Sequence, residues 1–166
     1  MRYVCIVVLG LVLACAAFNA SEVGDRFPGF ELKDLKGRTV SWNQSLGKVV
    51  VVNLWMSTCP PCVKEMPMLQ QLQKKYANRG VVVVGISADE KAGTAEKFAK
   101  KLGVRYTLLI DPNLMTSESE QKKFGFVGLP TTFIVDCTGV IRKKIVGFTS
   151  SEDIEKSLPG LLQHCP

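Results

Sequence analysis

Val49-Val50-Val51-Val52-Asn53-Leu54-Trp55 runs directly into Met56-Ser57-Thr58-Cys59-Pro60-Pro61-Cys62. So dense an apolar, β-branched run reads as a strand buried on both faces. The two prolines after it fit the first turn of a helix, where a missing N–H costs nothing. Beyond Cys62, the apolar positions Met66, Leu69, Leu72 and Tyr76 keep helical spacing. Cys59 therefore sits where a buried strand ends and a helix begins.

That position has chemical consequences. Pro60 and Pro61 donate nothing, so the first free helical N–H belongs to Cys62 and can point back at the Cys59 sulfur. Together with the positive end of the helix dipole, it favours a thiolate at Cys59. Cys62, one turn further in, is more shielded and less acidic. The spacing thus gives one attacking and one resolving cysteine. Zinc would need two more ligands at suitable spacing, but the chain has one histidine, His164, and its other cysteines are scattered. A purely structural disulfide over so short a loop would restrict the unfolded chain little. The redox reading outweighs both.

The 166 residues suit one domain behind a leader. Val4 to Phe18 is almost unbroken apolar sequence after Arg2, too short for a membrane span and typical of a signal-peptide core. Residues 1–20 are read as the leader and residues 21–166 as the domain. Cleavage after Ala16 satisfies the small-x-small rule through Ala14, whereas cleavage after Ala20 would put Phe18 in the small position. Val12-Leu13-Ala14-Cys15 also resembles a bacterial lipobox, with Cys15 as a lipidated first residue; otherwise Cys15 is one more small apolar leader residue. Either way the domain is exported, where disulfides form and persist.

The net charge of +6 comes from basic residues interleaved with acids along the chain, without stacking aromatics among them. Nucleic acid would need a clustered footprint, so this charge reads as solvated surface. The one basic run, Arg142-Lys143-Lys144, falls in an expected edge strand, where charge blocks unwanted pairing.

Phe30-Glu31-Leu32 and Arg38 to Trp42 bracket Lys36-Gly37 as a β-hairpin ahead of the core. Lys48 to Trp55 is the buried strand and Pro60 to Ala77 its helix, kinked by Pro67. Val81 to Ser87 is a second buried strand, Ala95 to Leu102 a helix stopped by Gly103, and Tyr106 to Ile110 a short strand. Ser117 to Phe124 is a short helix with Ser117 and Glu120 placed as a capping box. Thr131 to Val135 and Val140 to Val146 form a hairpin around Thr138-Gly139. Ser151 to Leu158 is a last helix, stopped by Pro159-Gly160. This pattern predicts an α/β fold: a mixed central sheet, helices on both faces and an N-terminal hairpin extension.

With Cys-x-x-Cys at the first strand-to-helix junction, the chain resembles the thioredoxin fold. Val23-Gly24-Asp25-Arg26-Phe27-Pro28-Gly29-Phe30, Gly47-Lys48-Val49-Val50, Cys59 to Pro67, and Gly128-Leu129-Pro130-Thr131-Thr132-Phe133 together resemble the TlpA/ResA-like family of extracytoplasmic thioredoxins. The resemblance runs from about Val23 to about Phe148. It implies that Cys59 is the nucleophile and Cys62 the buried resolving cysteine, cycling through a Cys59–Cys62 disulfide. It implies that Pro130 is a cis-proline facing that disulfide, with Trp55 and Leu129 among the substrate contacts. It also implies that Glu65 lies near the cysteines and affects their protonation. Cytoplasmic thioredoxins usually carry a buried aspartate at the place of Asn53; Asn53 takes no proton, which leaves that task to Glu65, to water or to nothing. A carboxyl beside a buried thiol has a raised pKa through desolvation. Where the family often has tryptophan before the first cysteine, this chain has Thr58.

The implied activity is a thiol–disulfide oxidoreductase without cofactor or metal, reducing exported oxidised proteins such as apocytochrome c. Electrons would come from a membrane thiol-transfer protein, and the location would be periplasmic or otherwise extracytoplasmic. Two alternatives fit less well. A thiol peroxidase needs threonine or serine three residues before its cysteine, but Met56 precedes Cys59 at that spacing. A metal-carrier protein needs a wider cysteine spacing and a core histidine. Cys137 and Cys165 stand outside the resemblance and are open to three readings: a second disulfide, reduced thiols or an intermolecular bond.

Overall fold

The computed structural model describes residues 21–165; the expected leader, its expected cleavage points and Cys15 lie outside the described residues. In chain order the elements are β1 (Glu31–Asp34), β2 (Thr39–Ser41), β3 (Val49–Trp55), α1 (Pro60–Tyr76), β4 (Val81–Ser87) and α2 (Ala92–Lys101). They continue with β5 (Thr107–Ile110), α3 (Glu118–Lys123), β6 (Thr131–Val135), β7 (Ile141–Val146), α4 (Ser151–Glu155) and α5 (Leu158–Leu162). One mixed sheet contains every strand, in the order β2-β1-β5-β4-β3-β6-β7.

All seven residues of β3 are buried, because β4 pairs with it in parallel on one side and β6 antiparallel on the other. A parallel partner requires a crossover, and α1 supplies it. Alternation along β3 then sorts its side chains between two cores. Val49, Val51 and Trp55 join Cys62, Met66, Leu69, Ala95, Ile154 and Leu158 on the face covered by α1, α2, α4 and α5. Val50, Val52 and Leu54 join Phe27, Phe30, Trp42, Leu114, Phe124 and Phe133 on the other face, closed by the segment around α3 and by the N-terminal residues. Asn53 shares the first face by the same period of two.

Several local expectations are corrected. The N-terminal hairpin forms as expected, β1 pairing antiparallel with β2, and joins the main sheet through Lys33 of β1 and Ile110 of β5; Trp42, expected in its second strand, belongs instead to a 3-10 turn after β2. Pro67 lies inside α1, where the sequence places it. Ser117 caps α3 without a side-chain bond, its hydroxyl meeting Ser119 at 2.8 Å while Glu120 pairs with Lys123, so the capping box does not form. Pro159 does not stop the last helix. Chain beyond Ser151 divides into α4 and α5, with Pro159 in the first turn of α5, where its missing N–H is harmless.

β7 is an edge strand, and its basic run is put to use. Arg142 pairs with Asp136 at 2.6 Å and Lys144 with Glu22 at 2.6 Å, while Lys143 donates to the Asp153 carbonyl at 2.9 Å. Cys137, in the β6–β7 turn, forms a disulfide with Cys165 beyond α5, which settles the three readings of that pair.

Candidate active site

The turn between β3 and α1 is held from outside the motif. Asp89, just after β4, accepts from the Ser57 N–H at 3.1 Å and the Ser57 hydroxyl at 2.6 Å, and also from the Ser87 hydroxyl at 2.7 Å. The Cys59 N–H then donates to the Met56 carbonyl at 3.1 Å. Sequence reasoning passed over Asp89; its only signal is a Ser-x-Asp at the end of the neighbouring parallel strand.

Cys59 is the N-cap of α1, and its sulfur takes the place of the usual capping oxygen: the Cys62 N–H donates to it at 3.3 Å. Pro60 and Pro61 are exposed at the first helical positions, as their lack of N–H allows. Cys59 is half-buried, whereas Cys62 is fully buried. The two are joined as a disulfide, with 5.3 Å between their Cα atoms.

Glu65 follows Cys62 one turn later and is 0% exposed. One carboxylate oxygen accepts from the Asn53 amide at 2.6 Å and the other from the Thr149 N–H at 3.1 Å. Burial raises its pKa to about 7, and the donors from Thr149 and Asn53 counter part of that rise. Tyr106, also buried, is pushed well up, first by burial and then by the Glu65 charge. Thr149 was not legible as a partner, because its backbone rather than its side chain makes the contact.

The Leu129–Pro130 peptide is cis, as the resemblance implies. Pro130 is buried, and the pairing of Leu54 with Thr131 places it beside the end of β3, the end that leads to Cys59. Its carbonyl accepts from the Gly147 N–H at 2.8 Å. Leu129 is half-buried and, like Cys59, packs on the cluster that contains Cys62. Among the described residues no backbone hydrogen bond uses Leu129. Around this loop Val127, Val146 and Phe148 are exposed, with the Lys64 ammonium 4.9 Å from the Phe148 ring centre. Trp55 is corrected. It is 0% exposed, within the core beside Cys62, so its role is packing rather than substrate contact. Among the described residues no group of three or more His, Cys, Asp or Glu side chains is placed to hold a metal ion, and no helix is long and apolar enough to cross a membrane.

Residues 23–144 match the AhpC/TSA family. The thiol-disulfide oxidoreductase ResA of Geobacillus thermodenitrificans is 34% identical over 143 residues, covering 86% of this chain and 80% of the relative. ResA of Bacillus thuringiensis subsp. konkukian is 32% identical over 137 residues, covering 82% and 77%. Among solved structures, a Chlorobium tepidum protein described as a thiol:disulfide interchange protein DsbE is 31% identical, with a TM-score of 0.78 over 86% of this chain and 99% of that one. A second Chlorobium tepidum structure, described as a thiol:disulfide interchange protein of the thioredoxin family, is 28% identical, with a TM-score of 0.72 over 86% and 99%. The fold is thioredoxin-like, and the chain belongs to the AhpC/TSA family, among its ResA-like thiol–disulfide oxidoreductases.

Proposed function

We propose that this oxidoreductase works outside the cytoplasm as a protein-disulfide reductase. The Cys59 thiolate attacks one sulfur of a substrate disulfide, forming a mixed disulfide and releasing one substrate thiolate. Cys62 gives up its proton and attacks the Cys59 sulfur, releasing the second substrate thiolate and closing Cys59–Cys62. Glu65 is the acceptor of the Cys62 proton, and Leu129 and Pro130 seat an extended substrate segment on the idle Leu129 backbone. The observation that carries this reading is the Cys62 N–H aimed at the Cys59 sulfur, with Cys59 half-buried and Cys62 enclosed.

Oxidised exported proteins, apocytochrome c among them, are the substrates, and a membrane thiol-transfer protein returns the electrons. Residues 1–20 serve as the export leader, or Cys15 as a lipid tether. A reduction potential measured against glutathione tests the direction. It is expected nearer the about −270 mV of thioredoxin than the about −120 mV of DsbA. A value at the DsbA end would make the protein an oxidant. Reduced protein should reduce insulin disulfides and consume little peroxide; the opposite result would favour the thiol peroxidase.

A further inference from the structure

Glu65 is the most deeply buried acid among the described residues, and what it meets there is selective. Its two oxygens face N–H donors, with the Asn53 amide on one and the Thr149 backbone on the other. We infer that Asn53 is a positioning residue for Glu65: its amide, anchored on Thr132, holds one carboxylate oxygen and supports the ionised form of the acid. This inference rests on the reading of Glu65 as proton acceptor for Cys62.

The geometry begins in the strand. The period of two puts the Asn53 side chain on the α1 face of β3, where Cys62 and Glu65, three residues apart, share one side of the helix. Asn53 lies directly opposite Thr132 in the β3–β6 pairing. Its Nδ2 carries two hydrogens and uses both, one to Glu65 Oε1 at 2.6 Å and one to Thr132 Oγ1 at 3.0 Å. Asn53 Oδ1 has no partner among the described residues, so the amide is oriented by its donors alone. A group that presents only donors to a carboxyl favours its charged form and opposes the desolvation that favours the neutral form.

The charge that responds is Glu65 itself. On its own helix the titratable neighbour is Cys62, and ahead of β5 it is Tyr106, whose phenol burial keeps protonated. β3 and β6 contribute the uncharged Asn53 and Thr132, and the segment after β7 contributes the uncharged Thr149. α4, packed on α1, turns its Glu155 to Lys75 and Tyr76. Thr149 donates through its backbone, so Asn53 is the donor that a substitution can remove.

The test is an NMR titration of the Glu65 carboxyl carbon in the reduced protein, beside the pH profile of insulin reduction. In Asn53→Leu, similar in size but without donors, the Glu65 midpoint should rise by about one pH unit, the scale of one hydrogen bond to a charged group. The activity profile should move to higher pH with it. In the Glu65→Gln background, Asn53→Leu should move the profile no further. An unmoved Glu65 midpoint overturns the inference and leaves Asn53 a packing residue. If the midpoint moves while the activity profile stays, Asn53 stands and the proton-acceptor reading of Glu65 falls. Should Asn53→Leu fail to fold, Thr132→Val removes the anchor at nearly constant volume. It should shift the Glu65 midpoint the same way by less, and no shift in that variant would equally overturn the inference.

Discussion

Cys59 and Cys62 lie three residues apart at the start of the 17-residue α1, whereas Cys137 and Cys165 are 28 apart and tie a hairpin turn to the chain beyond α5. The first pair has a helix N-terminus behind it, an N–H on the outer sulfur and a buried acid one turn further on. The second pair has no such arrangement among the described residues: Cys137 lies in a hairpin turn and Cys165 beyond the end of a short helix. The balance reverses for stability, because closing a long loop removes more freedom from the unfolded chain than closing a short one. On the proposed mechanism, one chain would use the same bond for chemistry at one site and for constraint at the other.

The largest expected effect breaks the pairs one at a time. Cys59→Ser should abolish reduction of insulin disulfides, and Cys62→Ser should stall after the first step and accumulate mixed disulfides visible by mass spectrometry. The double variant Cys137→Ser/Cys165→Ser should keep a turnover close to the parent's at temperatures where it stays folded. Loss of turnover there as complete as in Cys59→Ser would end the division of labour. Adducts on Cys59→Ser rather than on Cys62→Ser would exchange the roles within the first pair.

Next comes stability. Loop-closure entropy assigns the Cys137–Cys165 bond about 3–4 kcal/mol and the short Cys59–Cys62 loop about 2 kcal/mol. Denaturant unfolding should show the larger loss in the Cys137→Ser/Cys165→Ser double variant and the smaller loss on selective reduction of Cys59–Cys62. The reverse order would mean that the active-site bond also supports the fold.

Glu65 gives the first region a pH signature. Its folded pKa, about 7, stands above the ordinary carboxyl value of 4.5, so the folded state binds the extra proton between those values. The sign follows: stability is complete below about pH 4.5 and falls by about 3 kcal/mol as pH rises through 7. Glu65→Gln should flatten that slope in unfolding experiments from pH 4 to 8. An unchanged slope would place its origin elsewhere.

The two regions were unequally legible in the sequence. β3, α1 and β4 declare themselves through β-branched runs and helical spacing, and Cys59-Pro60-Pro61-Cys62 carries its geometry within four residues. Glu65 was legible as a candidate, but its hold was not: Asn53 meets it across 12 positions and the Thr149 backbone across 84. Tertiary contacts of that range leave no local pattern. Pairing of Cys137 with Cys165 is illegible for the same reason, since spacing alone cannot bring a turn and a distant segment within bonding reach. The break between α4 and α5 was misread because proline serves a helix start as well as a stop. Trp55 was misread because a wholly buried strand keeps even its last residue inside.

The smallest expected effect lies beside Cys137 and gives the second region its own pH signature, of opposite sign. Asp136 is 6% exposed at the head of the β6–β7 turn. Its Oδ1 accepts from the Thr138 N–H at 2.9 Å, the Thr138 hydroxyl at 2.7 Å and the Val140 N–H at 3.0 Å, and its Oδ2 meets Arg142 Nε at 2.6 Å. Burial alone would raise its pKa, but the donors from Thr138, Val140 and Arg142 outweigh it and bring the value to about 2. A depressed carboxylate contributes its stability above the unfolded value and loses it as pH falls through the folded one. Asp136 should therefore contribute about 2 kcal/mol at neutral pH, lost between about pH 4 and pH 2. Asp136→Asn keeps the side-chain shape and removes the charge, so its deficit should be full at pH 7 and gone near pH 2. Hydrogen exchange should localise the change. As acid is added, the amides of Thr138 and Val140 should lose protection before that of Val63, which donates to the Cys59 carbonyl in α1. A deficit that persists at pH 2 would show that shape rather than charge holds the turn, and the pH contrast between the two disulfide regions would then rest on Glu65 alone.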